Sequence, residues 1–482
     1  MKRWTDVRAI YQIYPRSFFD TNSDGIGDIP GIIQKLDYLN SDKDSLGANA
    51  IWISPFYPSP MADFGYDITN YRDIHPMFGT MDDFTRLLKE AHQRDIKVMI
   101  DFVPNHTSDE HPWFQESRSS KDNPKRNWYV WRDPKPDGSP PNNWLSVFGG
   151  SAWKLDGVSG QYYLHSFLAK QPDLNWDNEE VRAEMTNVVD FWLSLGVDGI
   201  RVDVARWISK DPQFRDNPIN PDFQDDGTTD PYHAYINKYN RFGPNLFAYL
   251  RELTDVIEKH DDRIIIFEDY PDDSSSHIEQ YSEFYRNTDP NVAAPFIFDG
   301  MFLPYDARVF NEFIDSFQSE IGKEYRLFYC FGNHDQPRIA SRFSRPEARV
   351  IALLQLTLPG IPVIYYGDEI GMVNGTIPAN KVQDPFEKRV PGRGLGRDPQ
   401  RTPMQWSSEE FAGFSPTTPW LPVADDFYVY NVKTERGHKT SSSYFYLYKN
   451  LLDIRGKYES LRTGQGYVHL DLGHDSSLVA YR

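Results

Sequence analysis

The sequence contains almost no cysteine. Its single thiol, Cys330 of 482 residues, cannot form an intrachain disulfide, so nothing in the composition points to an oxidising compartment. The first twenty residues, "MKRWTDVRAIYQIYPRSFFD", lack the apolar segment of a secretory signal. We therefore expect a cytoplasmic protein.

Long apolar runs and an excess of positive charge are also missing. Pro359, Gly360 and Pro362 interrupt the longest apolar run, 350–366, which therefore predicts a buried helix, a turn and a buried strand rather than a membrane span. Lys and Arg number 51 against 70 Asp and Glu, a formal net charge of −19, which argues against nucleic acid and anionic membranes as partners. We expect neither partner, and a neutral substrate.

What the sequence does have is a repeated alternation of buried strands and helices. Eight short β-branched or aromatic runs are separated mostly by amphipathic segments, as in parallel sheets covered by helices on both faces. Eight such units predict an α/β protein with a closed (β/α)8 TIM barrel. The runs are 9–15, 50–55, 97–103, 199–204, 263–268, 296–302, 326–335 and 362–369.

Two stretches depart from this alternation. The interval between the third and fourth runs, 104–198, is too long for a structureless loop, so we predict an inserted subdomain at 104–177. After residue 418, "DDFYVYNVKT", "YVHLDL" and "SSLVAYR" are typical of antiparallel strands and predict a small C-terminal β domain at 419–482. The barrel would then span 1–103 and 178–418. Because the last domain is short and stops just after a strand, we expect a truncated terminus.

Acids and histidines follow the ends of four predicted strands. Catalytic groups of such barrels lie where strands end at their carboxyl side. "DFVPNH", "GIRVDV", "IIIFE" and "FGNHD" stand at these ends. A single acid there is as often a helix cap or ion-pair partner as a catalyst, but several converging on one rim favour an active site. The convergent residues are Asp203, Glu268, Asp335, His106 and His334.

These motifs, in this order and spacing, resemble those of the α-amylase family, glycoside hydrolase family 13. "QPDLNW" (171–176), "DFGYDITNY" (63–71) and "GRDPQRTPMQW" (396–406) are similar to signatures of its oligo-1,6-glucosidase and α-glucosidase branch. The resemblance covers essentially the whole chain. It implies an enzyme that cleaves small α-glucosides with retention of the anomeric configuration.

The resemblance also implies a role for each rim residue. Asp203 would be the nucleophile, Glu268 the general acid/base, and Asp335 the carboxylate that binds hydroxyl groups of the reacting sugar. His106 and His334 would bind the same ring. Arg201 precedes Asp203 by two positions on the same strand face, and would keep the nucleophile ionised.

The acid/base has a sequence rival. Asp269 follows Glu268 directly, and Phe267 stands where the family often has a small residue. Side chains alternate along a strand, so Glu268 and Asp269 should point to opposite faces, and the motif position favours Glu268. Two carboxyl groups about 5–5.5 Å apart perform retaining cleavage, and the acid must keep its proton, so we expect a raised pKa at Glu268.

The same resemblance implies an exo-acting pocket. Asp63 and Arg401 would close it behind the terminal glucose, with Tyr66 stacked on the sugar ring and Arg397 as the rival arginine. A charge pair there would block longer chains, so glucose would leave one unit at a time. The alternative is a rim salt bridge of little energetic value.

The inserted subdomain would supply Phe148, Phe167 and Gln171 to the pocket border, and the segment "DPFEKRVPGRGLGRDP" would loop over the leaving-group side. Valine after the nucleophile, here Val204, resembles the α-1,6-acting type. "DVARW" departs from the usual contexts, so the linkage stays open. We expect isomaltose to be hydrolysed at least as well as maltose.

Three alternatives compete with an α-glucosidase. A transglycosylating relative acting on sucrose or trehalose would use the same glycosyl-enzyme, although no "RLDRD"-like segment precedes "FGNHD", which argues against sucrose isomerisation. The heavy subunit of amino-acid transporters also resembles this family, but it predicts an N-terminal membrane helix and eroded carboxylates. An endo-amylase fits poorly with Asp63, Arg401 and "QPDLNW". The partner is a small oligosaccharide, and the protein is expected to be a monomer or homodimer.

The segment "DTNSDGIGD" (20–28) resembles the first half of a calcium loop. Position 12 of such a loop is Gly31 here instead of glutamate, so a calcium sensor is not expected. In the branch that the chain resembles, this loop holds a structural divalent cation, Ca²⁺ or Mg²⁺; the alternative is an acidic turn without metal. No organic cofactor is expected. The predicted ligands are Asp20, Asn22, Asp24, the Ile26 carbonyl and Asp28.

Overall fold

The eight predicted strands close into one parallel barrel. A computed structural model describes residues 3–41, 44–272, 275–440, 442–464, 466–470 and 477–482. The strands of the described residues are β1 Ile10–Ile13, β2 Ala50–Ile53, β3 Lys97–Phe102, β4 Trp131–Arg132, β5 Trp153–Leu155, β6 Tyr162–Leu164, β7 Gly199–Val202, β8 Ile264–Phe267, β9 Ala293–Ile297, β10 Phe328–Cys330 and β11 Ile361–Tyr365. The barrel strands follow one another in the ring order β1-β11-β10-β9-β8-β7-β3-β2, which confirms the TIM barrel.

Helices separate most of the barrel strands, and their ends follow local capping rules. Thr80 and Asp83 form a capping box at the start of the second helix, and Gly196 ends the fourth with a φ of 113°. Within the described residues, none of the helices is both long enough and apolar enough to cross a membrane. The helices are α1 Ile29–Leu39, α2 Met81–Gln93, α3 Pro112–Ser119, α4 Glu179–Leu195, α5 Leu246–Ile257, α6 His277–Asn287, α7 Ala307–Glu320, α8 Ile339–Arg342, α9 Arg345–Thr357, α10 Pro385–Arg389, α11 Val432–Gly437, α12 Tyr444–Lys457 and α13 Ser460–Thr463.

The long interval after β3 carries structure of its own. It contains α3 and an antiparallel sheet in the order β4-β6-β5, which is consistent with the predicted insertion at 104–177. A small apolar cluster including Trp144 and Trp153 packs within it. An isolated bridge between His106 and Asp173 ties the end of "DFVPNH" to "QPDLNW", so the insertion is anchored at the predicted catalytic rim.

The C-terminal region differs from its prediction. "DDFYVYNVKT" is a turn followed by α11, whose first turn is capped by a hydrogen bond from the Thr434 amide to the side chain of Asn431, so the predicted strand there is wrong. Buried residues of α12, among them Phe445 and Leu452, pack in the same core as α9, so the barrel's helical layer continues past residue 418. Of the other two predicted strands, the described parts pair only through a bridge between His469 and Tyr481. Residues 471–476 lie outside the described residues.

Candidate active site

Neighbouring strands carry the two central carboxylates. Val202 of β7 lies opposite Phe267 of β8, so Asp203 and Glu268 follow at matching positions on the barrel rim. The Asp203 amide donates to the Phe102 carbonyl at 2.8 Å, and the Glu268 amide to the Val202 carbonyl at 2.9 Å. The two residues are only 6% and 3% exposed, so both carboxyl groups are largely shielded from water.

Arg201 joins the carboxylates beneath the rim. Its Nη1 lies 2.6 Å from Asp203 Oδ1 and 2.8 Å from Asp101 Oδ1, and its Nη2 lies 2.7 Å from Glu268 Oε1. A fixed guanidinium that contacts several carboxylates at once orients each of them. The predicted contact between Arg201 and Asp203 is therefore present, and Arg201 also reaches Glu268.

Burial raises the pKa of Glu268. Arg201 opposes this effect, whereas the nearby negative charge of Asp335 reinforces it. Burial also raises the pKa of Asp203, and Arg201 opposes that rise through charge and a hydrogen bond. Because two close buried carboxyl groups resist ionising together, the pair tends to hold a proton, as an acid and a nucleophile require.

Asp335 is the most open of the three acids, with 22% of its side chain exposed. Arg401 Nη2 lies 2.7 Å from its Oδ1 and Arg397 Nη1 lies 3.3 Å from the same atom. Burial alone would raise the pKa of Asp335, but the positive charges of Arg401 and Arg397 hold it well below its usual range. Asp335 is therefore ionised, and part of its carboxylate stays open to solvent.

The structure corrects the arginine that pairs with Asp63. Arg397 Nη2 lies 2.8 Å from Asp63 Oδ1, whereas Arg401 donates to Asp335 and to the His334 carbonyl. Both arginines belong to one motif, and Arg401 ends the short 3-10 helix that follows Arg397, so sequence spacing could not decide between them. Arg397 thus spans Asp63 and Asp335 beside the site.

Asp384 is a neighbouring residue that the sequence analysis missed. Its Oδ1 lies 2.7 Å from Arg397 Nη2, and its Oδ2 accepts a hydrogen bond from the Arg397 amide at 2.8 Å. The side chain is fully buried. The sequence feature that could have indicated Asp384 is its position at the start of "DPFEKR", a segment predicted to border the site.

Tyr66 and His334 form a stacked pair. Their ring centroids are 5.6 Å apart with an interplanar angle of 1°, and the Tyr66 hydroxyl lies 2.7 Å from His334 Nε2 and 3.1 Å from Asp101 Oδ2. Gln12 Nε2 lies 2.8 Å from His334 Nδ1, a contact that sequence reasoning also missed. Tyr66 therefore positions His334 as well as bordering the predicted sugar site.

Both predicted histidines are neutral near neutral pH. Burial lowers the pKa of His106 to about 4 and that of His334 well below its usual value. His106 Nε2 lies 3.1 Å from the Tyr66 carbonyl and 3.1 Å from Gln171 Nε2. Neutral imidazoles suit hydrogen bonding to uncharged hydroxyl groups, which is consistent with sugar binding.

The insertion reaches the site through its predicted residues. Gln171 Nε2 donates to Asp63 Oδ2 at 3.1 Å, and the Phe148 and Phe167 rings meet edge-on with centroids 5.8 Å apart. The Arg397 guanidinium lies 4.8 Å from the Phe148 ring centroid. The structure thus gathers Phe148, Phe167 and Gln171 around the Asp63–Arg397 pair.

Asp269, the alternative to Glu268 in the sequence, binds Arg206. Both of its oxygens bind Arg206, one through Nε and the other through Nη2 at 2.9 Å. Asp269 is 1% exposed. Glu268, which contacts Arg201, is therefore the acid that lies beside the predicted nucleophile.

The acidic loop after β1 is held by its own hydrogen bonds. Asp20 accepts from the amides of Asn22, Ser23 and Gly25, and Asp28 caps α1 through the Gly31 amide. Among the described residues, no group of three or more His, Cys, Asp or Glu side chains is placed to hold a metal ion. The predicted ligands, which include an amide side chain and a backbone carbonyl, are all oxygen donors, and oxygen donors suit a hard cation such as Ca²⁺ or Mg²⁺.

Comparison with known proteins identifies the family of this chain. Residues 12–464 match the family model for the alpha amylase catalytic domain. The chain is 41% identical to an oligo-1,6-glucosidase of Heyndrickxia coagulans, over 96% of this chain and 87% of that protein. Among solved structures, the alpha-glucosyl transfer enzyme XgtA matches with a TM-score of 0.90 at 38% identity, covering 98% of this chain and 88% of that one. A trehalulose synthase MutB mutant matches with a TM-score of 0.85 at 38% identity, covering 98% and 87%. The chain therefore belongs to the α-amylase family, glycoside hydrolase family 13, within its oligo-1,6-glucosidase and α-glucosidase group.

Proposed function

We propose that the protein is an exo-acting, retaining α-glucosidase that removes glucose from the non-reducing end of short α-glucosides. The observation that carries this proposal is the Arg397 guanidinium, which lies 2.8 Å from Asp63 and 3.3 Å from Asp335. A wall of paired charges behind the sugar site would leave room for a terminal residue but not for a continuing chain. Asp63 and Asp335 would accept hydrogen bonds from the glucose hydroxyl groups.

The first chemical step forms a glycosyl-enzyme. Asp203 attacks C1, the bond from C1 to the leaving oxygen breaks, and Glu268 donates its proton to that oxygen. Arg201, bound to Asp203 Oδ1, would hold the nucleophile ionised and aimed. The raised pKa of Glu268 supports the role of proton donor.

The second step releases glucose. Water enters where the leaving group stood, and the Glu268 carboxylate accepts its proton as the oxygen attacks C1. The bond between C1 and Asp203 breaks, and Asp203 departs as a carboxylate. Two inversions give a product with the α configuration.

A substrate panel tests this proposal. We expect turnover of p-nitrophenyl α-glucoside, maltose and isomaltose, little action on starch, and loss of activity in Asp203→Ala. Proton NMR of the first product should show α-glucose. β-Glucose as the initial product, or an Asp203→Ala variant with full activity, would contradict the mechanism.

Transglycosylation is the second candidate. The similarity to an α-glucosyl transfer enzyme and to a trehalulose synthase favours it, since those names describe glucosyl transfer and the synthesis of trehalulose. In such reactions a sugar hydroxyl takes the place of water at the same glycosyl-enzyme. Product analysis with concentrated maltose or sucrose distinguishes them: new disaccharides indicate transfer, and hydrolysis products alone indicate a glucosidase.

The linkage preference forms part of the same proposal. Val204 packs against the cluster of Phe167 and Trp207 beside the site, where it would contact the leaving group. We propose that isomaltose is hydrolysed at least as well as maltose. A clearly higher kcat/KM for maltose would contradict this preference.

We further propose that the loop 20–28 binds a structural divalent cation, supported by its oxygen-only donors. The ion would be held by Asp20, Asn22, Asp24, the Ile26 carbonyl and Asp28. The ion would stabilise the loop and take no part in the chemistry. Cytoplasmic location and a monomeric or homodimeric state stay predictions.

A further inference from the structure

Three contacts join the segment after the predicted nucleophile to the segment that carries the predicted acid/base. The Val204 amide donates to Glu268 Oε2 at 2.7 Å, and the Ala205 amide donates to the Glu268 carbonyl at 3.2 Å. One residue further along, the Arg206 guanidinium binds both oxygens of Asp269. Residues 204–206 therefore hold the side chain of Glu268, its backbone and the residue that follows it.

Val204 adopts a backbone conformation that is unfavourable for its residue type. Its φ and ψ are 39° and 50°, in the left-handed region that β-branched residues rarely enter. Such conformations persist where the surrounding structure holds them, and they gather at functional sites. Here the left-handed turn aims the Val204 amide at Glu268.

The pair formed by Arg206 and Asp269 is placed to hold this turn. Each residue is 1% exposed, and two hydrogen bonds fix the relative orientation of the two side chains. The Arg206 guanidinium also lies 4.5 Å from the Phe242 ring centroid. The backbone carbonyl of Arg206 accepts a hydrogen bond from the Phe242 amide at 2.9 Å. Arg206 is thus anchored on both sides, by the Asp269 carboxylate and by Phe242.

We propose that Arg206 and Asp269 are positioning residues for Glu268. By joining the ends of β7 and β8, the pair keeps Val204 in its left-handed turn and the Glu268 carboxyl group directed at the leaving oxygen. Neither residue touches the reacting atoms. This inference rests on the proposed role of Glu268 as the acid/base.

The dependence of kcat/KM on the leaving group distinguishes a misplaced Glu268 from a general disruption of the active site. Glucosyl fluoride needs little proton donation because fluoride is a good leaving group. Maltose and isomaltose each release a second glucose, whose alkoxide is a poor leaving group unless an acid protonates its oxygen. A misplaced acid should therefore slow the cleavage of disaccharides more than that of glucosyl fluoride. Azide, which attacks C1 without a general base and displaces Asp203 as a carboxylate, should accelerate turnover and yield α-glucosyl azide.

The variants are Asp269→Asn and the double variant Arg206→Met/Asp269→Leu. The double variant removes both charges, which proteins often tolerate better than a single unpaired buried charge. We expect kcat/KM for both disaccharides to fall about 100-fold, while kcat/KM for α-glucosyl fluoride stays within about threefold of the wild type. Azide should raise kcat for the fluoride.

Lys97→Met is the matched control. Lys97 is another buried cation, bound to Asp262 at 2.7 Å, but it begins β3 at the opposite end of the barrel from the site. Its loss should lower the melting temperature without a leaving-group effect. Equal losses on fluoride and disaccharides, or wild-type kinetics in the folded double variant, would overturn the proposal.

The Glu268→Gln variant distinguishes failure of the proposed role of Glu268 from failure of the positioning role of Arg206 and Asp269. If this variant shows neither the leaving-group dependence nor azide acceleration, the proposed function of Glu268 fails. If it shows both and the Asp269 and Arg206 variants show neither, the positioning role alone is wrong.

Discussion

Arg201 and Asp335 act on the protonation of Glu268 in opposite directions. Arg201 lies 2.7 Å from Glu268 Oε1 and favours the ionised form, whereas the negative charge of Asp335 favours the protonated form. Burial, the largest effect on the pKa of Glu268, also favours the protonated form. The proposed acid therefore depends on a neighbour that is proposed to bind sugar.

Replacing Asp335 should change the pH profile as well as the rate. In Asp335→Asn, loss of a negative charge lowers the pKa of Glu268, so Glu268 loses its proton at a lower pH. The basic limb of kcat/KM for p-nitrophenyl α-glucoside should move toward acid, on top of a large fall in rate. Asp63→Asn removes a carboxylate that is not among the main influences on the pKa of Glu268, and is the control. An unmoved basic limb in Asp335→Asn would contradict this coupling.

The Asp63–Arg397 pair should determine how the enzyme treats chain length. Asp63→Ala removes the partner of Arg397 and a proposed partner of the terminal glucose, which we expect to lower kcat/KM for maltose about 10- to 100-fold. Because the variant opens the closed end of the proposed pocket, kcat/KM should fall less for longer maltooligosaccharides than for maltose. Arg393→Met is the control. Arg393 lies in the same loop as Arg397, but it pairs with the exposed Asp225. Equal losses for all chain lengths would argue against the closed pocket.

At the scale of elements, the loop after β1 links the barrel rim to a segment distant in sequence. Asp20 Oδ2 accepts from the Ser415 hydroxyl at 2.6 Å, and the Trp420 amide donates to the Gly25 carbonyl at 3.0 Å. The Trp420 indole in turn lies beside Tyr14, with ring centroids 6.3 Å apart. The loop therefore supports one side of the site even before any ion is considered.

Removal of divalent ions tests the proposed cation. If an ion bridges this loop, chelation should lower the melting temperature, because a ligand that binds only the folded state stabilises it. Calcium or magnesium should restore the original value. Asp24→Ala should lower the melting temperature in the presence of ions and abolish the response to chelation. An unchanged melting temperature after chelation would indicate an acidic turn without metal.

At the scale of the whole molecule, α12 extends the helical layer and anchors the barrel's amino end. Arg455 of this helix is fully buried and donates to the carbonyls of Arg8, Leu356, Leu358 and Gly360. The Arg8 carbonyl lies just before β1, that of Leu356 lies in the last turn of α9, and those of Leu358 and Gly360 lie between α9 and β11. One side chain thus ties the last long helix to the seam where the barrel closes.

Arg455→Met should destabilise the fold without changing the chemistry. The substitution leaves buried carbonyl groups without donors, which we expect to cost about 3 kcal/mol of unfolding free energy. Chemical denaturation measures this loss, and KM at low temperature should stay at the wild-type value. Lys457→Met, an exposed cation two residues further along the same helix, is the control, with an expected change below about 0.5 kcal/mol. A stability equal to the wild type would contradict the anchoring role of Arg455.

The barrel and the candidate catalytic acids could be predicted from the sequence, because strand periodicity and the residues at strand ends are local properties. All eight barrel strands lie within or overlap the predicted runs, and Asp203 and Glu268 occupy matching positions after two of them. The ion pairs between side chains that are distant in sequence could be read only from the folded chain. Arg397, and not Arg401, meets Asp63 because the path of a long loop places it there.

The same division explains the error near the C-terminus. The aromatic alternation before α11 predicted a strand, but Asn431 caps a helix at that point, and within the described part of the chain no sheet includes this segment. A strand needs a partner, and a sequence pattern does not say whether one lies alongside. Partners distant in sequence, such as Arg206 and Asp269, likewise depend on how whole strands are arranged, which local patterns do not encode.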